Sequence, residues 1–237
     1  AYFPNQPIGL PDKINPDALH VAVQIERIGR VRLARCILCV VILRLERIMS
    51  SQTTPTYSPE QYLAIERDTQ QKNEYLNGEI FAMGGASERH NLISGNLLAS
   101  IHVQSRGKPC KVYSSDMRVK VSATGLYTYP DVVALCGEAH FDDEQQDTLL
   151  NPNLLIEILS KSTEGYDRGE KFAHYRRIES LAEYLLISQD KYRIEQYVRQ
   201  PDNQWLLSEV SKLEERIELP SIKCTLLLSD IYDRIEA

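Results

Sequence analysis

Two carboxylates in this chain stand where carboxylates are costly. Glu157 interrupts the apolar run "NLLIEILSKS" (residues 153–162), with leucine and isoleucine on both sides. Asp131 follows Pro130 at the head of "VVAL". An ionised carboxylate buried without a partner costs several kcal/mol, so a strand that keeps one usually gives it something to bind. Two carboxylates brought together repel unless one holds a proton or a cation separates them. Magnesium takes hard oxygen ligands and is commonly held by one or two carboxylates, with substrate phosphates completing its shell. Such an ion acidifies a bound water and neutralises charge on a phosphoryl group. If the strands of Asp131 and Glu157 are neighbours, the pair outlines a site for phosphodiester hydrolysis. The competing reading is structural, with Asp131 capping the turn after Pro130 and Glu157 paired with an arginine at the sheet end.

The elements that must position these groups are marked by periodicity and punctuation. "SPEQ" at 58–61 is a helix start, with Ser58 as N-cap, Pro59 at the first helical position and Gln61 closing a capping box. "NEYLNGEIFAM" is a hairpin turning at Asn77-Gly78. Leu92, Ile93, Leu97, Leu98 and Ile101 form a helical stripe over 88–106, stopped by Gly107. "CKVYSSDMRVKVS" and "YTYPDVVALC" read as two strands joined at "ATG", which places Asp116 in mid-strand in a supporting role. After the strand of Glu157, "DRGEKFAHYRRI" is a charged helix with Phe172, Tyr175 and Ile178 for its buried side. Asp167, Lys171 and Tyr175 recur every four residues on one face of it. "AEYLLIS", "YRIEQYV", "QWLLSEV" and "SIKCTLL" are further strands, and "SDIYDRI" a closing helix. The sum is a mixed sheet with helices packed on it, an α/β or α+β domain.

Composition bounds the alternatives. The 237 residues carry a net charge of −6, which excludes a histone-like nonspecific nucleic-acid binder but not a metal-dependent nuclease. Five cysteines, odd in number and loosely spaced, argue against a disulfide framework and for a reducing cytoplasm. Cys36 and Cys39 form a lone CxxC without the further ligands a zinc site needs. Residues 1–48 interleave arginines with "CILCVVIL", too short to span a bilayer. They read as an extension outside the domain, with Met49 as its natural start and residues 49–237 as the domain. "AMGGAS" lacks the lysine and hydroxyl residue of a phosphate-binding loop.

The ordered segments "YPDVVAL", "NLLIEILSKST", "DRGEKFAHYRR" and "SLAEYLLIS", with "YLNGEIFAMGGASERHNLISGNL" upstream, resemble the Uma family of restriction-endonuclease-like proteins. That family lies in the PD-(D/E)XK nuclease superfamily, and the likeness covers about residues 55 to 235. It implies a restriction-endonuclease-like mixed central sheet flanked by helices, with an N-terminal β-hairpin extension. Pro130-Asp131 matches the PD element and Glu157 the second acid. The superfamily lysine would fall at position 159, which is leucine here as it is not lysine in the family either. The resemblance assigns that role to Lys171 on the following helix, with Lys161 as its competitor. Glu79 corresponds to an early acidic residue, an extra metal ligand or water orienter, although an exposed hairpin charge reads equally well. His90, at the head of the long helix, corresponds to the family's histidine. Arg168, His90 and Lys161 are candidate DNA contacts, and Arg176 and Arg177 make the charged helix locally basic. The implied function is a divalent-metal-dependent endonuclease that uses Mg2+ or Mn2+ to hydrolyse DNA. It would be cytoplasmic, free of the membrane and a candidate homodimer. The alternatives are a catalytically inactive nucleic-acid-binding module on the same fold, or an interaction module whose carboxylates are ion-paired.

Overall fold

The computed structural model describes residues 56–236. The segment 1–48, its CxxC pair and the boundary at Met49 lie outside the described residues. Helix α1 (Pro59–Asp68) begins as its sequence dictates. Ser58 Oγ accepts the Gln61 backbone N–H at 3.3 Å, and Gln61 Oε1 accepts the Ser58 N–H at 2.8 Å. Strands β1 (Asn73–Leu76) and β2 (Glu79–Ala82) form the hairpin, with Asn77 at φ 52° and Gly78 at φ 92°. Positive φ at both central residues is the twist-matching turn that Asn-Gly favours. Helix α2 (Glu88–Ser105) follows and buries Ile93, Leu97 and Ile101.

The next two expected strands are each broken in two. β3 (Cys110–Ser114) and β4 (Arg118–Val121) are separated by a turn in which Met117 N donates to Ser114 O at 3.0 Å. Asp116 is therefore in a turn, not mid-strand, and its exposed carboxylate pairs with Lys72 at 2.6 Å. β5 (Leu126–Thr128) and β6 (Val132–Cys136) are separated at Pro130, which has no N–H to give a ladder. The "ATG" turn joins β4 to β5. β7 (Thr148–Leu149) precedes β8 (Leu154–Leu159), the fully buried strand that carries Glu157. Then come α3 (Glu164–Tyr166), a π-helical turn (Asp167–Lys171) and α4 (Phe172–Tyr175). β9 (Glu183–Ser188), β10 (Ile194–Arg199) and β11 (Trp205–Val210) are the expected meander. β12 (Arg216–Leu219), which the sequence pattern did not announce, pairs with β13 (Cys224–Leu227), and α5 (Leu228–Ile231) closes the described chain.

Six strands make the central sheet, in the order β11-β10-β9-β8-β6-β3, with only β8–β9 parallel. A second sheet, β2-β1-β5-β4-β7, carries the hairpin. The period of two sorts the central strands onto two faces. Val132, Ala134, Leu154, Ile156, Ile158, Leu185 and Ile187 pack with α2, α5 and the β12–β13 pair. Val133, Leu135, Leu155, Leu159, Tyr184 and Leu186 pack against the α3–α4 run and the second sheet. This mixed α+β architecture agrees with the expected class, including the hairpin extension. No helix among the described residues is long and apolar enough to cross a membrane.

One expectation fails outright. Cys110 and Cys136 stand directly opposite each other on β3 and β6 and form a disulfide, while Cys224 is free and buried. Spacing along the chain carries no information about cross-strand register, and here register makes the pair.

Candidate active site

The condition set for the carboxylates is met. β6 pairs antiparallel with β8 through Val132↔Ile156 and Val133↔Leu155. One step further along the same register, Asp131 faces Glu157. Residues opposed in this way share a sheet face, here the face covered by the α3–α4 run. Asp131 is anchored at both oxygens. Oδ2 accepts the Ile158 N–H at 2.7 Å, and Oδ1 lies 3.1 Å from His90 Nε2. His90 thus reaches the site from the first turn of α2, and its buried Nδ1 has no hydrogen-bond partner.

Glu157 has a lysine for its partner, not an arginine. Its Oε1 lies 3.0 Å from Lys171 Nζ and accepts the Tyr175 hydroxyl at 2.7 Å. Oε2 takes part in neither contact. Lys171 Nζ also lies 3.2 Å from Glu74 Oε1 and 3.7 Å from Asp167 Oδ1. The four-residue spacing of Asp167, Lys171 and Tyr175 therefore delivers all three to one point. The π-helical turn between Asp167 and Lys171 is a type of helix insertion frequent at functional sites. Thr128 Oγ1 donates to Glu74 Oε1 within the second sheet and lies 3.5 Å from the Tyr175 hydroxyl, which brings that sheet to the cluster.

Lys171 and Glu157 are buried, with side chains 7% and 6% exposed. Burial pushes the Glu157 carboxyl up to about 8, against the pull of Lys171, and the charges of Asp167 and Asp131 push the same way. Burial also raises Asp167. Burial works against the charge on Lys171, but Glu157 and Glu74 outweigh it and hold the ammonium well above its ordinary pKa. Three carboxylates around one ammonium leave excess negative charge in a dry place. Either a proton or an added cation relieves it.

The remaining expected residues divide. Lys161 lines the same cavity at its rim, 87% exposed and only 4.0 Å from Asp190. Arg168 points elsewhere, pairing with Glu195 and Glu164, and Arg176 and Arg177 are exposed. Glu79 does not join the cluster. It shares a hairpin face with Glu74, but it is exposed beside the Asn77-Gly78 turn and does not line the cavity. Glu74, which sequence reasoning passed over, holds the inner position. The signal was present in the hairpin register, where Glu74 opposes Phe81 and Glu79 opposes Leu76 near the turn.

Glu74, His90, Asp131, Glu157, Asp167 and Lys171 line a cavity of about 810 Å³ between the hairpin, the 158–163 segment and the 189–190 loop. Among the described residues, no group of three or more His, Cys, Asp or Glu side chains is arranged to hold a metal ion. Magnesium is usually held by one or two carboxylates and completes its shell with water and phosphate oxygens, whereas a structural zinc needs about four protein ligands. The Asp131–Glu157 pair offers oxygen ligands of the right kind on a strand pair that fixes their separation.

The mixed sheet carries opposed acids on neighbouring strands and a lysine from the helical segment that follows. The chain belongs to the Uma2 family, described as "Putative restriction endonuclease", whose model matches residues 59–228. It is 37% identical over 176 residues to the uncharacterized protein sll1609 of Synechocystis sp., covering 74% of this chain and 99% of that protein. It is 36% identical over 178 residues to the uncharacterized protein slr1290 of the same organism, covering 75% and 92%. A crystal structure titled as a putative nuclease belonging to DUF820, from Anabaena variabilis, superposes with a TM-score of 0.62 at 17% identity, covering 75% of this chain and 98% of that one. At that identity the likeness is one of fold.

Proposed function

We propose that this protein is a divalent-metal-dependent endonuclease that hydrolyses phosphodiester bonds in DNA. The observation that carries the reading is the opposition of Asp131 and Glu157 across β6 and β8, with Lys171 in contact with Glu157. Asp131 and Glu157 would hold magnesium or manganese. When bound, the ion supplies a Lewis acid and a more acidic water at the scissile phosphate. The other roles belong to the chain itself. Lys171 presents positive charge to the phosphate oxygens, where charge grows as water attacks phosphorus. Glu74 and Asp167 keep that lysine protonated and aimed. Tyr175 fixes Glu157 through its Oε1, and His90 with the Ile158 N–H fixes Asp131.

The test is cleavage of plasmid and single-stranded DNA by the full chain, with magnesium or manganese against a chelator, beside Glu157→Ala and Lys171→Ala. Metal-dependent cutting lost in both variants is the expected result. A folded protein that binds DNA but cuts no substrate under any metal would make this an inactive binding module.

A further inference from the structure

The cavity holds more than the charged cluster, and the nuclease chemistry leaves part of it unused. Along the hairpin, Leu76, Phe81 and Met83 are half-buried and face into it, and Tyr166 stands on another wall. Phe81 is the direct cross-strand partner of Glu74, so an aromatic ring is one strand-width from the ion pair with Lys171. The reactive groups lie at the bottom, with side-chain exposures of 15% for Asp131, 14% for Glu74 and 6% for Glu157.

From these we infer that the cavity takes an unstacked nucleotide of a single strand, its base against the Phe81 wall and its phosphate at the acidic floor; the phosphate half of this inference rests on the nuclease reading. In an intact duplex the base faces are covered by their neighbours, and the phosphates run along a stiff rod. A strand free of its partner offers a base face and lowers its backbone into the same pocket without the cost of unstacking and unpairing a duplex. The volume of about 810 Å³ is of the size that takes a small ligand. Lys161, 87% exposed at the rim, supplies a local phosphate contact. Single strands, frayed ends and overhangs are then its substrates in preference to matched duplex.

The experiment uses the full chain and a fluorescent oligonucleotide of about 12 nucleotides. The oligonucleotide is offered as single-stranded DNA, as single-stranded RNA and as perfect DNA duplex. Binding is read by anisotropy in calcium, which takes the same oxygen ligands at the acidic floor, and cleavage in magnesium. A 2-aminopurine base in the single strand reports stacking by its quenched fluorescence. The expected result is single-strand binding at least about tenfold tighter than duplex, with quenching. Phe81→Ala should weaken it about tenfold and abolish the quenching, and Phe81→Trp should restore both. Circular dichroism of each variant separates this from misfolding. Equal binding of duplex and single strand overturns the inference, as does single-strand binding that Phe81→Ala leaves intact, or no binding to any of the three. Selective, Phe81-dependent binding without cleavage supports the subsite and sinks the nuclease reading. Efficient duplex cleavage does the reverse. Binding of RNA alone supports the subsite and replaces DNA as the substrate.

Discussion

Replacing Lys171 by methionine keeps most of the side-chain volume and deletes one charge at the centre of the cluster. Three carboxylates, at 3.0, 3.2 and 3.7 Å from Nζ, then face one another with side chains between 5% and 14% exposed. Breaking a buried ion pair by removing one partner costs about 3–5 kcal/mol, because an uncompensated charge stays behind. A carboxyl group can escape that cost by taking up a proton, so the loss must depend on pH. Burial has already raised Glu157 from 4.5 to about 8. For an acid with a raised folded pKa, the native state binds the extra proton. Its contribution is complete below about pH 4.5 and is lost as pH rises through about 8. Lys171 pulls this pKa down, so without it the decline extends further up the pH scale. Urea unfolding in chelator should show Lys171→Met less stable by about 3–5 kcal/mol at pH 9. At pH 5, where Glu157 is protonated in both proteins, the difference should shrink to about 1–2 kcal/mol. An equal loss at both pH values would refute the account, because it would mean that the carboxylates neither feel the lysine nor answer its removal with protons.

Tyr175→Phe removes a buried donor 2.7 Å from Glu157 and should cost about 1.5–3 kcal/mol in alkaline urea melts, less in acid, with nuclease activity reduced. Gly78→Ala puts a Cβ at φ 92°, 2.3 Å from Thr56 Cγ2, and should lower stability by about 1–2 kcal/mol. Because that turn sets the hairpin bearing Glu74, the same variant should lose activity beyond its loss of folded protein, measured at equal folded concentration. Asp147 is held well below the ordinary carboxylate range, first by its hydrogen bonds from Arg67. A depressed acid stabilises above its ordinary pKa and loses that contribution as pH falls. Arg67→Ala should therefore cost under about 1 kcal/mol at neutral pH, the pair being about a third exposed, and the difference should close in acid thermal melts.

Much of the site was readable because it obeys short-range rules. A carboxylate inside a six-residue buried strand is legible as an anomaly, and so is a proline that opens the strand of its partner. The four-residue spacing of Asp167, Lys171 and Tyr175 survived a π-helical turn that no sequence rule announced. What escaped depended on register and depth. Glu74 and Glu79 lie on the same hairpin face, and only docking of the hairpin on β5 decides which is inside. Arg168 looked like a phosphate contact until β10 supplied the buried Glu195 beneath it. The Cys110–Cys136 pair is a property of the β3–β6 alignment, invisible to any count along the chain. Turns at 114–117 and at Pro130 split two long β-prone stretches, because strand propensity is a local average and cannot see where a strand must change sheets.

The cluster around Lys171 draws Glu74 from the hairpin of one sheet, Glu157 from the middle of the other, and its own helix from a later part of the chain. Glu74 and Lys171 are 97 positions apart in the sequence, so that contact closes a long loop at an entropic cost. A chain still emerging from the ribosome has its opposed acids before it has its lysine. Under the proposed nuclease reading, cutting waits on completed docking of the two sheets, and a half-made molecule is harmless to the nucleic acid around it.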